Sequence, residues 1–281
     1  MRKNIIELIF KIAKEKDAFD TLENYLSTLS RQDLSENLID CGILPEMFAH
    51  DSSEEKLWAK FSDILLAKSL SFLGIESEVL GARGNSADVF GKAQNYTIVG
   101  DAKTFRLSRT AKNQKDFKVN ALDTWRKGDN YALLLAPLAQ FPNTKSQIYS
   151  QSIEKNVTLV SYTHFHFLLD FHTNQDLQSL WETGNNLSEI IEKSDWQNSS
   201  IYWNAIDKKI CEIVGQNLDI LAKYKQIEVG KTKEIGNEGI AYWKNKIAEF
   251  QHLSKEEAIR LLIKSEKIEA KIKTIEKAIK L

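Results

Sequence analysis

The sequence predicts an α/β protein with a mixed β-sheet core flanked by helices and with helical N- and C-terminal regions. Three observations lead there. Apolar residues recur at helical spacing up to about residue 74 and again beyond 163. From 75 to 103 the period falls to two, with Gly81, Gly84, Gly91 and Gly100 as punctuation. Two short unbroken apolar runs, Tyr131–Pro137 and Val157–Tyr162, then read as fully buried strands, each preceded by a helical stretch. The expected division is 1–50, an N-terminal helical region; 51–163, the core; and 164–281, a C-terminal helical region, or one domain throughout.

Composition sets the bounds. The chain has 281 residues, 42% hydrophobic and 27% charged, with three prolines, as expected of a globule rather than a disordered chain. A net charge of −1 argues against a uniformly basic nucleic-acid binder but leaves room for a local cationic patch. Cys41 and Cys211 form no framework, which suits a reducing compartment. Near the N-terminus, Glu7, Lys11 and Lys14 interrupt the apolar run, so it reads as neither signal peptide nor membrane span. A cytoplasmic protein is expected.

The elements follow in order. Residues 2–42 carry three amphipathic faces and stop at Gly42, with Pro45 close behind. Asp51-Ser52-Ser53 offers capping oxygens for a helix over 53–73. Tyr96 to Val99 reads as a strand that pairs with a shorter one carrying Asp88, through a turn over Gly91–Asn95. A helix is expected from Ser108 or Thr110 to Trp125, with Ala111, Phe117, Ala121 and Leu122 inward, and another over 145–153. Those crossovers should leave the last strands parallel. Further helices are expected over 163–171, 175–183, 186–228, 238–251 and 254–280, the last opened by the capping-box sequence Ser254-Lys-Glu-Glu257. His164, His166 and His172 lack matching carboxylates or thiols and read as core or surface residues, and Trp196, Trp203 and Trp243 as packing anchors.

One strand ends in chemistry. Asp101 and Lys103 share a face because strand period is two, and pairing would bring Asp88 beside them. Two carboxylates and an ammonium suit a divalent metal on oxygen ligands with a lysine beside a scissile phosphate. A cross-strand salt bridge would use the same residues. Glu55 is a weaker candidate, since an acid in a first helical turn also follows from the helix dipole. Lys103, Arg106, Arg109, Lys112, Lys115 and Lys118 recur every third residue, a row that winds around a helix. Asn113, Gln114 and Asp116 among them could meet base edges as well as phosphates, or the whole could be a solvated cationic face.

Together, Asp88, Asp101-Ala102-Lys103 and the basic segment resemble the PD-(D/E)xK nuclease superfamily. More narrowly, the chain resembles the HindIII-type type II restriction endonucleases. Gly42-Ile-Leu-Pro-Glu46, Glu55-Lys56-Leu57, Arg83-Gly-Asn85 and above all Asp101 through Val119 carry that likeness, with Thr144–Ile148 adding to it. It covers roughly 42–160, with fainter echoes at Tyr242-Trp243-Lys244 and Glu256-Glu257-Ala258. Ala87 stands where the superfamily's name has proline. The resemblance implies a restriction-endonuclease-like core and a Mg²⁺-dependent homodimer. Such a dimer cuts palindromic double-stranded DNA, AAGCTT with a staggered cut after the first A. It also implies a cognate DNA methyltransferase in the same cell. Asp88, Asp101 and the Ala102 carbonyl would hold metal, Lys103 would act at the phosphate, and Glu55 would complete the acidic cluster. Arg106, Arg109, Ala111, Lys112, Asn113, Lys115, Asp116 and Lys118 would meet DNA. Two other readings use the same residues: a repair or junction nuclease without sequence preference, and a catalytically silent DNA-binding protein.

Overall fold

A computed structural model describes residues 2–81, 86–109 and 117–278, and the chain divides into two units, Met1–Ile235 and Gly236–Leu281. The first unit opens with α1 (Arg2–Ile12), α2 (Ala18–Ser27) and α3 (Arg31–Cys41). Ser30 and Asp33 close a reciprocal cap at the start of α3. The longer α4 (Ser53–Phe72) takes its cap from Ser52, whose Oγ accepts from the Glu55 N–H at 3.1 Å. Unlike an amphipathic surface helix, α4 is buried over most of its circumference from Leu57 to Leu70. Most of the residues buried there are apolar, and Asp63 is the charged one among them.

The sheet has five strands in sequence order: β1 (Glu76–Val79), β2 (Val89–Lys92), β3 (Thr97–Ala102), β4 (Tyr131–Ala136) and β5 (Val157–Ser161). β1, β2 and β3 pair antiparallel, and β4 and β5 continue parallel to β3, which makes the sheet mixed as expected. The parallel pairings need crossovers, supplied by α5 (Val119–Arg126) and α6 (Gln147–Lys155). Every residue of β4 and β5 is buried, which accounts for their unbroken apolar sequence. At Gly100 an added Cβ would lie 3.0 Å from Leu66 Cδ2, so the glycine lets α4 approach the middle of β3 closely.

Four helical expectations are corrected. Ser108 stands in a turn, where Glu46 accepts from its N–H at 3.0 Å and its hydroxyl at 2.7 Å. Lys118 has φ +51°, so no single helix passes through it, and α5 begins at Val119. The stretch 186–228 is likewise not one helix. After α7 (Tyr162–Phe171) and α8 (Gln178–Trp181) come α9 (Thr183–Ile190) and α10 (Ser199–Val214), the latter closed by Gly215 at φ +66°. The helix α11 (Leu218–Gln251) then runs through the expected break near 230. Gly230, Gly236 and Gly239 lie within α11, and each costs a helix only about 1 kcal/mol. In the second unit, α12 (Lys255–Ser265) has the expected capping box at Ser254 and Glu257. Lys267, at φ +52°, separates it from α13 (Ile268–Ala278).

His164 is a core residue. Ser161 N–H donates to its Nδ1 at 3.0 Å, so the ring proton is on Nε2 and donates to Asp207 at 2.9 Å. Trp203 packs between Phe141, Tyr149 and Tyr202 as an anchor should. Trp243 does not: it is 48% exposed.

Candidate active site

The register of β2 on β3 sets Val89 opposite Gly100, so one step further Asp88 comes alongside Asp101. The Leu66–Gly100 approach fixes α4 above the same strand end, and Asp63 stands three residues before Leu66 on that helix face. Three acids from three elements therefore converge. Asp63, Asp88 and Asp101 each place a carboxylate oxygen within 4.8 Å of the other two. The sequence brought Asp88 and Asp101 together correctly and missed Asp63. Its signal was present: an acid set among the apolar residues Phe61, Ile64, Leu65 and Leu66 of a helix buried on several sides is rarely structural filler.

Two lysines hold the acids. Lys103 Nζ is 2.7 Å from Asp101 Oδ1 and 2.5 Å from Oδ2, with only Oδ1 accepting in hydrogen-bond geometry. Asp101 Oδ2 is thus a buried oxygen with an ionic contact and no hydrogen-bond donor. Lys60 Nζ bridges the other pair, 3.1 Å from Asp63 Oδ2 and 3.1 Å from Asp88 Oδ1. Burial pushes the Asp63 carboxyl up to about 7, and the Asp88 charge adds to that against the pull of Lys60. Burial also raises Asp101, opposed by Lys103. Lys60 is raised: burial works against its charge, but Asp63 and Asp88 outweigh it.

This donor set fits a divalent cation. Carboxylate oxygens are the ligands of hard divalent ions, and Asp101 Oδ2 is a buried oxygen whose ionic contact with Lys103 leaves it without a hydrogen-bond donor. Asp63, Asp88 and Asp101 would hold the ion. Ala102 ends β3 beside them, and the parallel ladder continues past it through Lys103 N–H to Leu135 O at 2.7 Å.

Glu55 is not in the cluster. Its carboxylate takes Arg106 Nη1 at 2.9 Å and the Asp51 N–H at 2.6 Å. Burial raises this carboxyl, but the Arg106 bond, the Asp51 N–H and the other donors outweigh it and leave the net shift downward. Arg106 in turn gives Nη2 to Phe48 O at 2.7 Å, so its guanidinium ties the residues after β3 to the start of α4. Arg109 lies over the Phe105 ring at 5.0 Å, and Lys118 over Trp125 at 5.7 Å. Ala111, Lys112, Asn113, Lys115 and Asp116 lie outside the described residues. Among the described residues on either side, Phe105 meets Phe117 edge-on at 5.6 Å and Phe117 stacks on Phe141 at 5.1 Å.

A mixed sheet bearing two aspartates and a lysine at one strand end, with a third acid from the helix above, defines a restriction-endonuclease-like protein. The HindIII restriction endonuclease family model matches residues 4–279, and the chain belongs to that family of type II site-specific deoxyribonucleases. It is 37% identical over 292 aligned positions to the type II restriction enzyme HindIII of Haemophilus influenzae. That alignment takes in 100% of this chain and 97% of the relative. Double-stranded DNA is accordingly the substrate. Among the described residues no helix is long and apolar enough to cross a membrane.

Proposed function

We propose that this chain cuts double-stranded DNA at a palindromic site, AAGCTT with a staggered cut after the first A, as a Mg²⁺-dependent homodimer. The cytoplasm, with a cognate methyltransferase protecting the cell's own sites, is its setting. The observation that carries the reading is the convergence of Asp63, Asp88 and Asp101 beside Lys103. A divalent ion bound there supplies an ionised water and neutralises charge at the phosphate. Asp63, Asp88 and Asp101 hold it, with the Ala102 carbonyl beside them. Lys103, itself fixed by Asp101, orients the attacking water and stabilises charge gathering on the phosphate. Glu55 serves the site indirectly, by holding Arg106 and the segment that follows. Within that segment Asn113 and Asp116 read bases, while Arg109, Lys112, Lys115 and Lys118 hold phosphates, and Ala111 lies among them.

A dimer places one such centre on each strand of a two-fold site. Its support is the second unit, where large apolar side chains stand exposed at coiled-coil spacing: Ile240, Trp243, Ile247 and Phe250 along α11, and Ile268, Ile272 and Ile275 along α13. A second copy of the same helices matches such stripes. Digestion of a DNA of known sequence in Mg²⁺, with the ends mapped, tests the activity. Discrete fragments ending at AAGCTT are expected; random fragmentation points to a nuclease without sequence preference, and intact DNA to a silent binder. Sedimentation of the protein without DNA tests the dimer, and a monomer at micromolar concentration rejects it.

A further inference from the structure

The two lysines at the cluster are placed differently. Lys103 grips Asp101, its neighbour two residues back, and both are enclosed, with side chains 17% and 1% exposed. Lys60 links acids from separate elements, Asp63 on its own helix and Asp88 beside β2, and is 28% exposed with Asp88 at 37%. Its ammonium lies on an oxygen of two of the three carboxylates that converge on the site. With every group ionised, three carboxylates face two ammonium groups, so the cluster keeps one negative charge even while Lys60 is in place.

We propose that Lys60 is a displaceable internal counter-cation, holding Asp63 and Asp88 together while no metal is bound and leaving them when one arrives. The proposal rests on the divalent-cation reading of the cluster. Divalent ions take carboxylate oxygens at about 2.0–2.6 Å, inside the 3.1 Å that Lys60 keeps. An ammonium on those same oxygens would face the ion with nothing between two positive charges. Lys60 has a way out that Lys103 lacks. Its four-carbon stem is flexible and its side chain is already 28% exposed, against 17% for Lys103, so moving from the acids into solvent costs it little desolvation. Without it, Asp63 and Asp88 would repel each other across a buried site; with it, metal must compete for them. Lys60 thus lowers intrinsic metal affinity and keeps the metal-free fold intact.

Calorimetric titration of the full-length protein with Mg²⁺ alone and with Ca²⁺ alone, without DNA, tests this. Lys60→Met removes the charge and keeps the stem; Lys60→Arg keeps the charge. Roughly tenfold tighter binding by Lys60→Met is expected, about 1.4 kcal/mol, with Lys60→Arg near the unsubstituted protein. Unchanged or weaker binding by Lys60→Met overturns the proposal, because Lys60 then supports the bound ion rather than competing with it. If the unsubstituted protein binds neither ion, the divalent-cation reading itself fails, which is a different result. Should Lys60→Met not fold, amine acylation of the unsubstituted protein decides. Ca²⁺ should raise the labelling of Lys60 severalfold while the exposed Lys92 stays constant, and no change at Lys60 overturns the proposal.

Discussion

Asp63→Asn should make the metal-free protein more stable while abolishing cleavage. The Asp63 carboxyl moves from 3.8 to about 7 on folding, chiefly through burial, so its ionised form is strongly disfavoured in the native state. A shift of about three units at 1.36 kcal/mol each sets a ceiling of about 4 kcal/mol. That value already contains the pull of Lys60, 3.1 Å away, and the poorer fit of an amide in a site shaped for a carboxyl leaves a gain of about 1–3 kcal/mol. For a chain of this size that is roughly 2–6 °C in Tm. The sign with pH is definite. Between 3.8 and about 7 the folded state binds more protons at Asp63 than the unfolded state, so native stability falls as pH rises through that window. The asparagine variant lacks this loss. Its advantage should therefore be small near pH 4, grow to about pH 7 and level off above. Differential scanning calorimetry in EDTA from pH 5 to 8 measures it. Adding Mg²⁺ should raise the Tm of the unsubstituted protein and narrow the gap, because ligand binding stabilises the native state by mass action. A lower Tm for Asp63→Asn at pH 8, or near-normal cleavage, refutes the reasoning.

Three further outcomes follow from the same geometry. Lys103→Ala should lower the single-turnover cleavage rate by about 10²–10³-fold while calorimetric metal binding persists; full recovery at high Mg²⁺ would give Lys103 a role in metal affinity instead. Gly100→Val should push Leu66, and Asp63 with it, off the strand end, since even a Cβ there meets Leu66 at 3.0 Å. It should destabilise by about 1–3 kcal/mol in urea unfolding and reduce cleavage by more than that loss explains. Asn113→Ala and Asp116→Asn should each lose about 1–3 kcal/mol of discrimination between AAGCTT and one-mismatch duplexes in competitive Ca²⁺ binding. An unchanged ratio would make this segment a phosphate clamp.

The parts of the site legible in sequence were those fixed by local period. Asp101 and Lys103 two apart on a strand share a face whatever the fold around them, and strand pairing brings Asp88 in. Asp63 could not be placed that way. Its position depends on a contact between Leu66 and Gly100 at a separation of 34 residues, which no periodicity encodes. Glu55 was drawn to the site because it is acidic and Glu55-Lys56-Leu57 is part of the likeness. It stands at the first turn of α4 with Arg106 already on it, two turns short of the position that reaches the strand end. The helix boundaries failed for a related reason. Lys118, Lys267 and Asn156 adopt positive φ, and none is the glycine that would announce it.

That same packing explains why the site needs its lysines. A carboxylate enclosed as Asp101 is, at 1% exposure, costs several kcal/mol unless a cation answers it. Lys103 does so from the next alternate position of the strand, so Asp-x-Lys is a structural necessity before it is a catalytic one. The pair alone therefore cannot mark a nuclease: any strand that buries an aspartate gains from a lysine two residues on. What separates this cluster from a buried ion pair is the third acid. Adding Asp63 makes the cluster less stable by itself, with a carboxyl driven up to about 7, and no fold gains from that arrangement unless something outside the protein binds there.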